Sequence, residues 1–374
     1  MRQPFDLSLP ADNGMRRGRT TGACATAAVK AALLLLRRGE KHVEVEISLP
    51  DPDYCLMVPV LSTERMIDGS ARAEVRKDAG DDPDNTDGAV IVAVVRPNRL
   101  GRIRFLAGPG VGTVTEPGLR VPVGEPAINP VPRQMMQQAV EEVLDGAPNP
   151  GFDLGIGCVN GATIAKNTFN PRLGIVGGIS IIGTSGIVEP MSLAAYMASI
   201  EVYIRVALGD GAERIAFAPG KIGTAYAKQS LQLPPKRIVQ ISNFIGFALD
   251  CTARALAEGN VRLRTLWVLG HPGKLAKILD GAWDTHSGKS PMAMGAVARV
   301  AKECGFAAAD AEKIEHTNTV EAAMEFLRPH PRAHALWSEI EDRISRLMMA
   351  RFSKVDRVEV RLFGLHGAAL GKAA

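Results

Sequence analysis

Three loops in the second half of the chain carry residue types that bind a small anionic molecule. Each contains glycine, follows a short apolar run that predicts a strand, and leads into a predicted helix; they span residues 219–223, 242–246 and 270–274. Loops that leave the carboxyl ends of parallel strands splay apart, and helix N-termini there present free N–H groups. Glycine lets the backbone approach a ligand closely. We therefore predict a ligand site that includes Gly220, Gly223, Asn243 and Gly270.

The glycine pattern does not identify the ligand. A GxGxG after the first strand, which many methyltransferases carry, is absent, and so is the phosphate-binding GxxxxGK[ST]. Residues 155–161 look like a dinucleotide fingerprint, but Asn160 stands where the third glycine belongs. We predict a strand, an Asn-Gly turn and a second strand there. These patterns alone leave S-adenosylmethionine and a nucleotide as equal candidates.

The elements around the three loops predict the architecture of the second half. Strands are predicted at 214–218, 236–241 and 264–269, each followed by a helix. Strands and helices in alternation form a parallel sheet covered by helices. Further helices are predicted over much of 291–349, and a late strand at 358–363. We expect residues 196–374 to form a Rossmann-like three-layer α/β domain.

The first half has a different pattern. A helix over 22–38 can be capped by Thr20 or Thr21 and is ended by Gly39. Residues 173–188 carry no charge and many glycines, which predicts a buried strand followed by a close-packed loop. A second helix is predicted at 132–144, and further strands at 43–47, 56–60, 71–76, 89–95 and 103–106. We expect residues 1–195 to form a two-layer α+β domain with a mixed sheet.

Composition limits the class of protein. The 374 residues are 46% hydrophobic and 22% charged, which is typical of a soluble globular protein. The net charge of +4 is mild and spread along the chain, so we expect no nucleic-acid partner. The five cysteines form no CxxC pair, which favours reduced, buried thiols. No apolar run is long enough to span a membrane, and residues 1–13 do not resemble a signal peptide. We expect a cytoplasmic protein without a membrane partner.

Charged residues cluster at two places in the first half. Arg16, Arg17 and Arg19 directly precede the predicted helix start, where the helix dipole adds to their positive charge. This turn is either an anion-binding site or a solvated surface. An acidic block over 78–87 contains five aspartates. Its spacing does not fit a calcium-binding EF-hand, which favours a hydrogen-bonded turn over a substrate loop or a metal site. We predict no metal site.

Several sequence blocks occur in a fixed order along the chain. The opening block is RGRTTGACA at 17–25, and the second is KDAGDDPD at 77–84. The remaining blocks are GEPAINPVPR at 124–133, TFNPRLGIVGGIS at 168–180, GTSGIV at 183–188, SNFIG at 242–246, GKL at 273–275 and THS at 285–287. In content and order these blocks resemble those of the CbiD family, the cobalt-precorrin-5B C1-methyltransferases.

The resemblance implies a reaction. Family members transfer a methyl group from S-adenosylmethionine to C1 of cobalt-precorrin-5B, giving cobalt-precorrin-6A on the anaerobic, early-cobalt route to cobalamin. Such a transfer requires that carbon, methyl and sulfur be held in line and water be excluded. Two other classes stay open: a nucleotide-dependent enzyme that uses the same loops, and a tetrapyrrole carrier without catalytic activity.

Given the reaction that the resemblance implies, we assign roles to particular residues of this chain. S-adenosylmethionine is expected at Gly220, Gly223, Asn243 and Gly270, with the loop of Gly183 and Gly186 as the second choice. The carboxylates of the macrocycle are expected at Arg16, Arg17, Arg19, Thr20 and Thr21. His286 is the candidate catalytic residue, in contact with the macrocycle or handling a proton; a structural hydrogen bond and cobalt ligation are the alternatives. The oligomeric state is not predicted.

Overall fold

The protein has a mixed α/β fold in a computed structural model that describes residues 2–372. The chain divides into two compact units, Met1–Leu193 and Ala194–Ala374. The division falls close to the boundary expected from the sequence. That each unit is an independent domain stays a prediction. Among the described residues, no helix combines the length and the apolar character needed to cross a membrane.

The first unit contains many short strands and few helices. Its helices are α1 (Thr21–Arg38), α2 (Pro130–Leu144) and α3 (Gly161–Ala165), with a 3-10 turn at Asn170–Leu173. Its strands are β1 (Gln3–Pro4), β2 (Gly18–Arg19), β3 (Glu44–Ser48), β4 (Tyr54–Pro59), β5 (Ser62–Arg65), β6 (Ala71–Arg76), β7 (Val90–Pro97), β8 (Ile103–Ala107), β9 (Gly110–Val111), β10 (Thr113–Val114), β11 (Phe152–Cys158), β12 (Ile175–Val176), β13 (Gly178–Ile179) and β14 (Ile187–Val188).

Helix α1 lies at the centre of the core of this unit. It is buried from Thr21 to Leu35 except at Lys30, and small side chains in its first turns allow neighbours to come close. It packs against α2 and against β6 and β7. Those two strands belong to a five-stranded sheet of order β5-β6-β7-β11-β8, antiparallel except for the parallel pair β11 and β8. The predicted cap and stop are confirmed: the Thr20 hydroxyl accepts from the Ala23 N–H, and Gly39 ends the helix at φ 74°.

Two sequence predictions in the first unit are wrong in detail. A second strand was predicted after the turn at Asn160, but the short helix α3 begins at Gly161. There the chain packs so closely on Gly110 that a Cβ at Gly161 would overlap the Gly110 carbonyl. The single strand predicted within 173–188 is instead divided into the three short strands β12, β13 and β14. Close packing against distant segments, which local patterns do not encode, explains both differences.

The second unit alternates strands and helices. Its strands are β15 (Arg214–Ala218), β16 (Ile238–Gln240), β17 (Leu263–Gly270) and β18 (Val355–Leu362). Its helices are α4 (Leu193–Leu208), which begins at the division, α5 (Lys221–Gln229), α6 (Ile245–Glu258), α7 (Pro272–Leu275), α8 (Met294–Glu303), α9 (Ala308–Glu315), α10 (Val320–Leu327) and α11 (Ala333–Met349), with 3-10 turns at Pro235–Arg237 and Ala276–Asp280.

The four strands of the second unit form one parallel sheet of order β16-β15-β17-β18. Leu266 and Val268 of β17 join the large core on one face, whereas Trp267 and Leu269 join a smaller apolar cluster on the other. A strand buried on both faces is typical of a parallel sheet covered by helices. The sheet brings the carboxyl ends of its strands, and the loops that follow them, to one edge.

Candidate functional site

The arginine turn, residues 16–19, is joined to the acidic block by hydrogen bonds and ion pairs. The Arg16 backbone N–H donates to the Asp81 carboxylate (2.7 Å), and Arg16 Nη1 lies 2.9 Å from Asp78 Oδ2. The Arg19 N–H donates to the Asp78 carbonyl (2.7 Å). The Arg16 and Asp78 side chains are 52% and 38% exposed, so their ion pair contributes little by itself. The acidic block therefore shapes the turn.

Glycine is required where these two segments cross. A Cβ at Gly18 would overlap the Ala79 carbonyl, and a Cβ at Gly80 would overlap the Arg16 carbonyl oxygen. Gly80 also has φ +69°, a conformation that costs other residues free energy. The two backbones are therefore locked together in van der Waals contact.

The rest of the acidic block is a hydrogen-bonded turn. Asp84 accepts from the Thr86 N–H (2.7 Å) and lies 2.6 Å from the Nζ of Lys77, whose side chain is only 1% exposed. Burial alone would raise the pKa of Asp84, but the Lys77 charge and the hydrogen bonds lower it. Asp87 accepts from the Ala79 N–H at 2.8 Å. Within residues 2–372, no group of three metal-ligating side chains comes together.

Arg17 is engaged within the chain. Its Nε lies 2.7 Å from Glu189 Oε1, and its Nη1 donates to the carbonyl oxygens of Leu9 (3.2 Å) and Pro10 (2.8 Å). The guanidinium also lies over the ring of Phe5. Only 17% of the side chain is exposed. Arg17 therefore holds the N-terminal segment in place and has few donors left for a ligand.

Arg19 keeps unused donor capacity. Its closest ion-pair contact, to Asp78 Oδ2, is 3.7 Å long, and its side chain is 15% exposed. Its Nε is buried and has no hydrogen-bond partner. An unsatisfied buried donor is unfavourable. Of the three predicted arginines, Arg19 is thus the one that keeps a buried donor without a partner.

Thr20, Thr21, Gly183 and Gly186 come together at the start of α1. The Thr21 hydroxyl accepts from the Ile182 N–H (2.8 Å), and the Thr20 N–H donates to the Gly186 carbonyl (3.0 Å). Both threonines are buried. A Cβ at Gly183 would lie 2.5 Å from the Thr20 hydroxyl, and one at Gly186 would lie 2.7 Å from Leu49. The start of α1 is therefore covered by residues 182–186 of the same chain.

In the second unit, the order in which the chain adds strands to the sheet reverses at β15. The chain passes from β15 to β16 on one side and then returns to place β17 on the other. At such a point the loops after the two central strands diverge and leave a crevice at their carboxyl ends. Gly220 follows β15, and Gly270 ends β17; a Cβ at Gly270 would lie 3.3 Å from Pro219. The structure therefore brings these two predicted residues close together.

The glycines of this edge differ in their surroundings. Gly220 is the N-cap of α5, supplies no capping side chain, and has open space where a Cβ would stand. Gly223 lies in the first turn of α5 against β17, where a Cβ would overlap the Leu269 carbonyl oxygen. Gly220 therefore leaves room for a ligand, whereas Gly223 allows the helix to pack on the strand.

Asn243 and His286 meet at one carboxylate, that of Asp284. Asp284 Oδ1 accepts from Asn243 Nδ2 (2.6 Å) and from the His286 N–H (3.2 Å), and Lys289 Nζ lies 3.0 Å from its Oδ2. Burial alone would raise the pKa of Asp284, but these hydrogen bonds and the Lys289 charge lower it. The exposed His286 ring accepts from the Gly288 N–H through Nδ1 (3.1 Å). Asp284 thus fixes the loop that presents His286.

Sequence reasoning missed Asp284 as well as two lysines near the end of β17. Lys274 lies in α7, and Lys277 lies in the 3-10 turn that follows. Burial and the neighbouring Lys277 charge lower the pKa of Lys274. Lysines that directly follow a glycine loop at a strand end were a usable signal, whereas the pairing of Asp284 with Asn243 joins segments far apart in sequence.

A parallel sheet whose strand order reverses beside two glycine loops, with polar side chains at the same edge, is typical of α/β proteins that bind a small molecule at their strand ends. Comparison with known proteins gives the particular family. The chain belongs to the CbiD family: the family models CbiD and CbiD, C-terminal domain match residues 9–190 and 284–374. The family predicted from the sequence is confirmed.

Curated relatives match along the whole chain. A protein of Ralstonia nicotianae is 66% identical, covering 100% of this chain and 97% of the relative, and one of Chromobacterium violaceum is 61% identical, covering 100% and 99%. A Moorella thermoacetica protein is 40% identical, covering 96% and 95%. All three are named cobalt-precorrin-5B C(1)-methyltransferase.

A solved structure is also similar in sequence. The crystal structure of a cobalamin biosynthesis protein (cbiD) from Archaeoglobus fulgidus is 28% identical and covers 74% of this chain and 84% of that one. Its TM-score of 0.40 is too low to support a conclusion about the fold.

Proposed function

We propose that this chain is a methyltransferase of cobalamin biosynthesis that methylates cobalt-precorrin-5B at C1 and gives cobalt-precorrin-6A on the anaerobic route. The observation that carries the proposal is the 66% identity, over the whole chain, to a relative that bears that name. A soluble tetrapyrrole carrier would need one ligand site. The presence of two distinct candidate sites, the arginine turn and the carboxyl edge of the parallel sheet, favours an enzyme that binds a donor and an acceptor.

We propose that the methyl donor is S-adenosylmethionine and that it binds at the carboxyl edge, near Gly220, Asn243 and Gly270. This molecule supplies a methyl group already activated on a sulfonium centre. The open space at Gly220 and the uncapped start of α5 fit a ligand that accepts hydrogen bonds. Gly223 contributes by holding α5 against β17. The loop of Gly183 and Gly186 is the second choice, because the space beside these two glycines is already occupied by side chains of the same chain.

The acetate and propionate groups of the substrate are proposed to bind at the arginine turn. Arg19, with a buried Nε that lacks a partner, makes the direct contact. Arg16 and Arg17 hold the turn through Asp78 and Glu189. Thr20 and Thr21 support it by closing the start of α1. Charge-assisted hydrogen bonds from arginine suit carboxylates because the guanidinium presents its donors as a planar fork.

The reaction requires the chain mainly to align the two reacting molecules and to exclude water. Methyl transfer from a sulfonium to an electron-rich carbon needs little proton transfer, and alignment alone lowers the barrier substantially. We propose that His286 contacts the macrocycle or handles a proton there. Its Nδ1 accepts from the Gly288 N–H, and Asp284 fixes its backbone, so the ring is held in one orientation.

The finer architecture and the location are part of the same proposal. We infer a two-layer α+β domain with a mixed sheet for the first unit and a Rossmann-like three-layer α/β domain for the second. The reversal of the strand order at β15 and the burial of both faces of β17 support the Rossmann-like assignment. We also propose a cytoplasmic protein without nucleic-acid or membrane partners, since the net charge of +4 is small and spread out.

The test is incubation of the protein with cobalt-precorrin-5B and S-adenosylmethionine whose methyl group carries ¹³C and deuterium, followed by mass analysis. We expect one labelled methyl group at C1 of the product. Binding of the tetrapyrrole without methylation would favour the carrier. A nucleotide-dependent enzyme would be indicated by a rise in Tm with ATP and none with S-adenosylmethionine.

A further inference from the structure

Two lysines that follow β17 have no carboxylate partner. Within the part of the chain that the structure describes, Lys274 and Lys277 form no ion pair. Lys277 is only 4% exposed, and its Nζ donates to the Thr285 carbonyl (3.3 Å) and the Ser290 hydroxyl (3.1 Å). An ammonium group has three donors, so one remains after these two neutral contacts. A buried positive charge is thus left without compensation.

A second polar group in the same place also lacks a partner. Thr285 is 2% exposed, and its Oγ1 is buried and makes no hydrogen bond. Its carbonyl oxygen is the one that accepts from Lys277, so the free hydroxyl and the free ammonium donor belong to neighbouring groups. Buried polar groups are almost always satisfied in folded proteins, which indicates that an added molecule completes this arrangement.

Nearby carboxylates are already occupied and do not neutralise the two lysines. Asp284 binds Asn243 and Lys289, and Glu321 lies 2.9 Å from His271. Asp280 pairs with Arg299. Lys274 is half-buried in α7, and Lys277 follows three residues later in the adjoining 3-10 turn, a spacing that places two side chains on the same face of a helical segment. Burial and the Lys277 charge both lower the pKa of Lys274. Two cations held together without an anion are unfavourable, and an anion bound between them would relieve the repulsion.

We propose that Lys274, Lys277 and Thr285 form a binding site for a carboxylate group of one of the two small molecules of the reaction. The inference rests on the proposed function, because both S-adenosylmethionine and the tetrapyrrole carry carboxylates. The site lies directly after Gly270, where β17 ends and the predicted crevice opens. A purely structural role for Lys277, holding the loop of Thr285 and Ser290, would explain neither the unpaired charge of Lys274 nor the Thr285 hydroxyl without a hydrogen bond.

Protection from chemical modification tests the site in the unaltered protein. The rate at which an acetylating ester modifies each lysine is measured by mass spectrometry, alone, with S-adenosylmethionine, and with cobalt-precorrin-5B. We expect one of these compounds, at a concentration several times its Kd, to slow modification of Lys274 by about five-fold or more, because the lysine reacts only while the site is empty. Lys302, exposed on α8, is the internal control and should react at the same rate throughout.

Variants give an independent readout. Lys274→Met should raise the calorimetric Kd of the protecting compound by about ten-fold, whereas Lys274→Arg keeps the charge and should change it by about two-fold at most. Lys302→Met removes the same charge elsewhere and should have no effect. Because Lys274 is half-buried at the surface, circular dichroism should show an unchanged fold.

The outcomes separate this inference from the proposed function. Protection by S-adenosylmethionine identifies the donor carboxylate, and protection by the tetrapyrrole identifies the acceptor; either supports the site. If both compounds bind but neither protects Lys274, and Lys274→Met binds both as the wild type does, the site is refuted while the proposed function stands. If S-adenosylmethionine does not bind the wild type, the cofactor proposal fails, and the tetrapyrrole measurement alone decides the site.

Discussion

The start of α1 in the first unit and the carboxyl edge of the sheet in the second both gather polar groups beside glycines, but they treat them in opposite ways. At the start of α1, nearly every donor meets an acceptor of the same chain, and Gly18 and Gly80 bring backbones into direct contact. At the carboxyl edge, Gly220 faces open space and Lys277 keeps an unused donor. Satisfied groups make a rigid support, whereas unsatisfied ones are suited to a ligand. Arg19 is the exception within the first region, because its Nε lacks a partner.

The largest effect expected is on stability, at the crossing of Gly18 and Gly80. In Gly80→Ala, the new Cβ would overlap the Arg16 carbonyl while the backbone stays at positive φ. We expect a loss of about 4 kcal/mol in the free energy of unfolding, at the upper end for point mutants. Gly69→Ala is the control: its φ is +81°, but nothing lies within 4 Å of the new Cβ, so it should lose only about 1 kcal/mol. Equal losses in urea unfolding would show that the two segments are not locked together.

The next effect concerns the ion pair between the buried Lys77 and the partly buried Asp84. Asp84→Asn keeps the shape but leaves the Lys77 ammonium buried without a countercharge. We expect a loss of about 3 kcal/mol in the free energy of unfolding. The exposed pair of Arg328 and Glu325 is the comparison, and Glu325→Gln should cost less than about 1 kcal/mol. Denaturant titrations of the two variants measure both values.

Variants of Gly220 and Gly223 distinguish a glycine that allows helix packing from one that leaves room for a ligand. Gly223→Ala gains helix propensity but pushes α5 away from the Leu269 carbonyl, so a net loss of about 2 kcal/mol is expected. Gly220→Val has room for its side chain and should leave the Tm almost unchanged, while it raises the Kd for S-adenosylmethionine by about ten-fold, or 1.4 kcal/mol. An unchanged Kd in calorimetry would move the cofactor site to the loop of Gly183 and Gly186.

Two arginines of the turn should likewise behave differently. Arg19→Met should raise the KM for cobalt-precorrin-5B by about ten-fold with little change in stability, because its donors are free for the substrate. Arg17→Met loses its contacts to Glu189 and to two carbonyls and should mainly cost about 1 to 2 kcal/mol of stability. Steady-state kinetics and thermal unfolding measure the two effects. If both variants raised KM equally, Arg19 would not differ from Arg17 in substrate binding.

The smallest effect is a difference in the sign of the pH dependence of stability. The pKa of Asp84 is lowered in the fold, so its contribution is present above about pH 4 and is lost as the pH falls through the folded value. Burial raises the pKa of Glu341 in the second unit, so its contribution is present at low pH and is lost as the pH rises through the folded value. Glu341→Gln should remove the second slope and keep the first, as measured by Tm from pH 3 to 7.

The sequence predicted the features that depend on neighbours along the chain. The cap of α1 at Thr20 and its stop at Gly39 follow from local chemistry, and β15 agrees with its predicted range 214–218. The short pieces β12 to β14 were missed because they exist through pairing with β9, β10 and β2, far away in sequence. The same reason applies to the site. A glycine that faces a ligand, such as Gly220, and one that packs on a strand, such as Gly223, look alike in a sequence.

The way in which the start of α1 is assembled has a consequence for how the protein is made. Thr20 bonds to Gly186, Thr21 to Ile182, and Arg19 to Asp78, so the first helix obtains its partners from segments that a ribosome produces much later. Contacts of such long sequence separation slow folding, because a long loop must close before they form. Until about half of the chain has been synthesised, the start of α1 lacks the segments that cover it, and such exposed apolar surface makes a nascent protein prone to aggregation during that time.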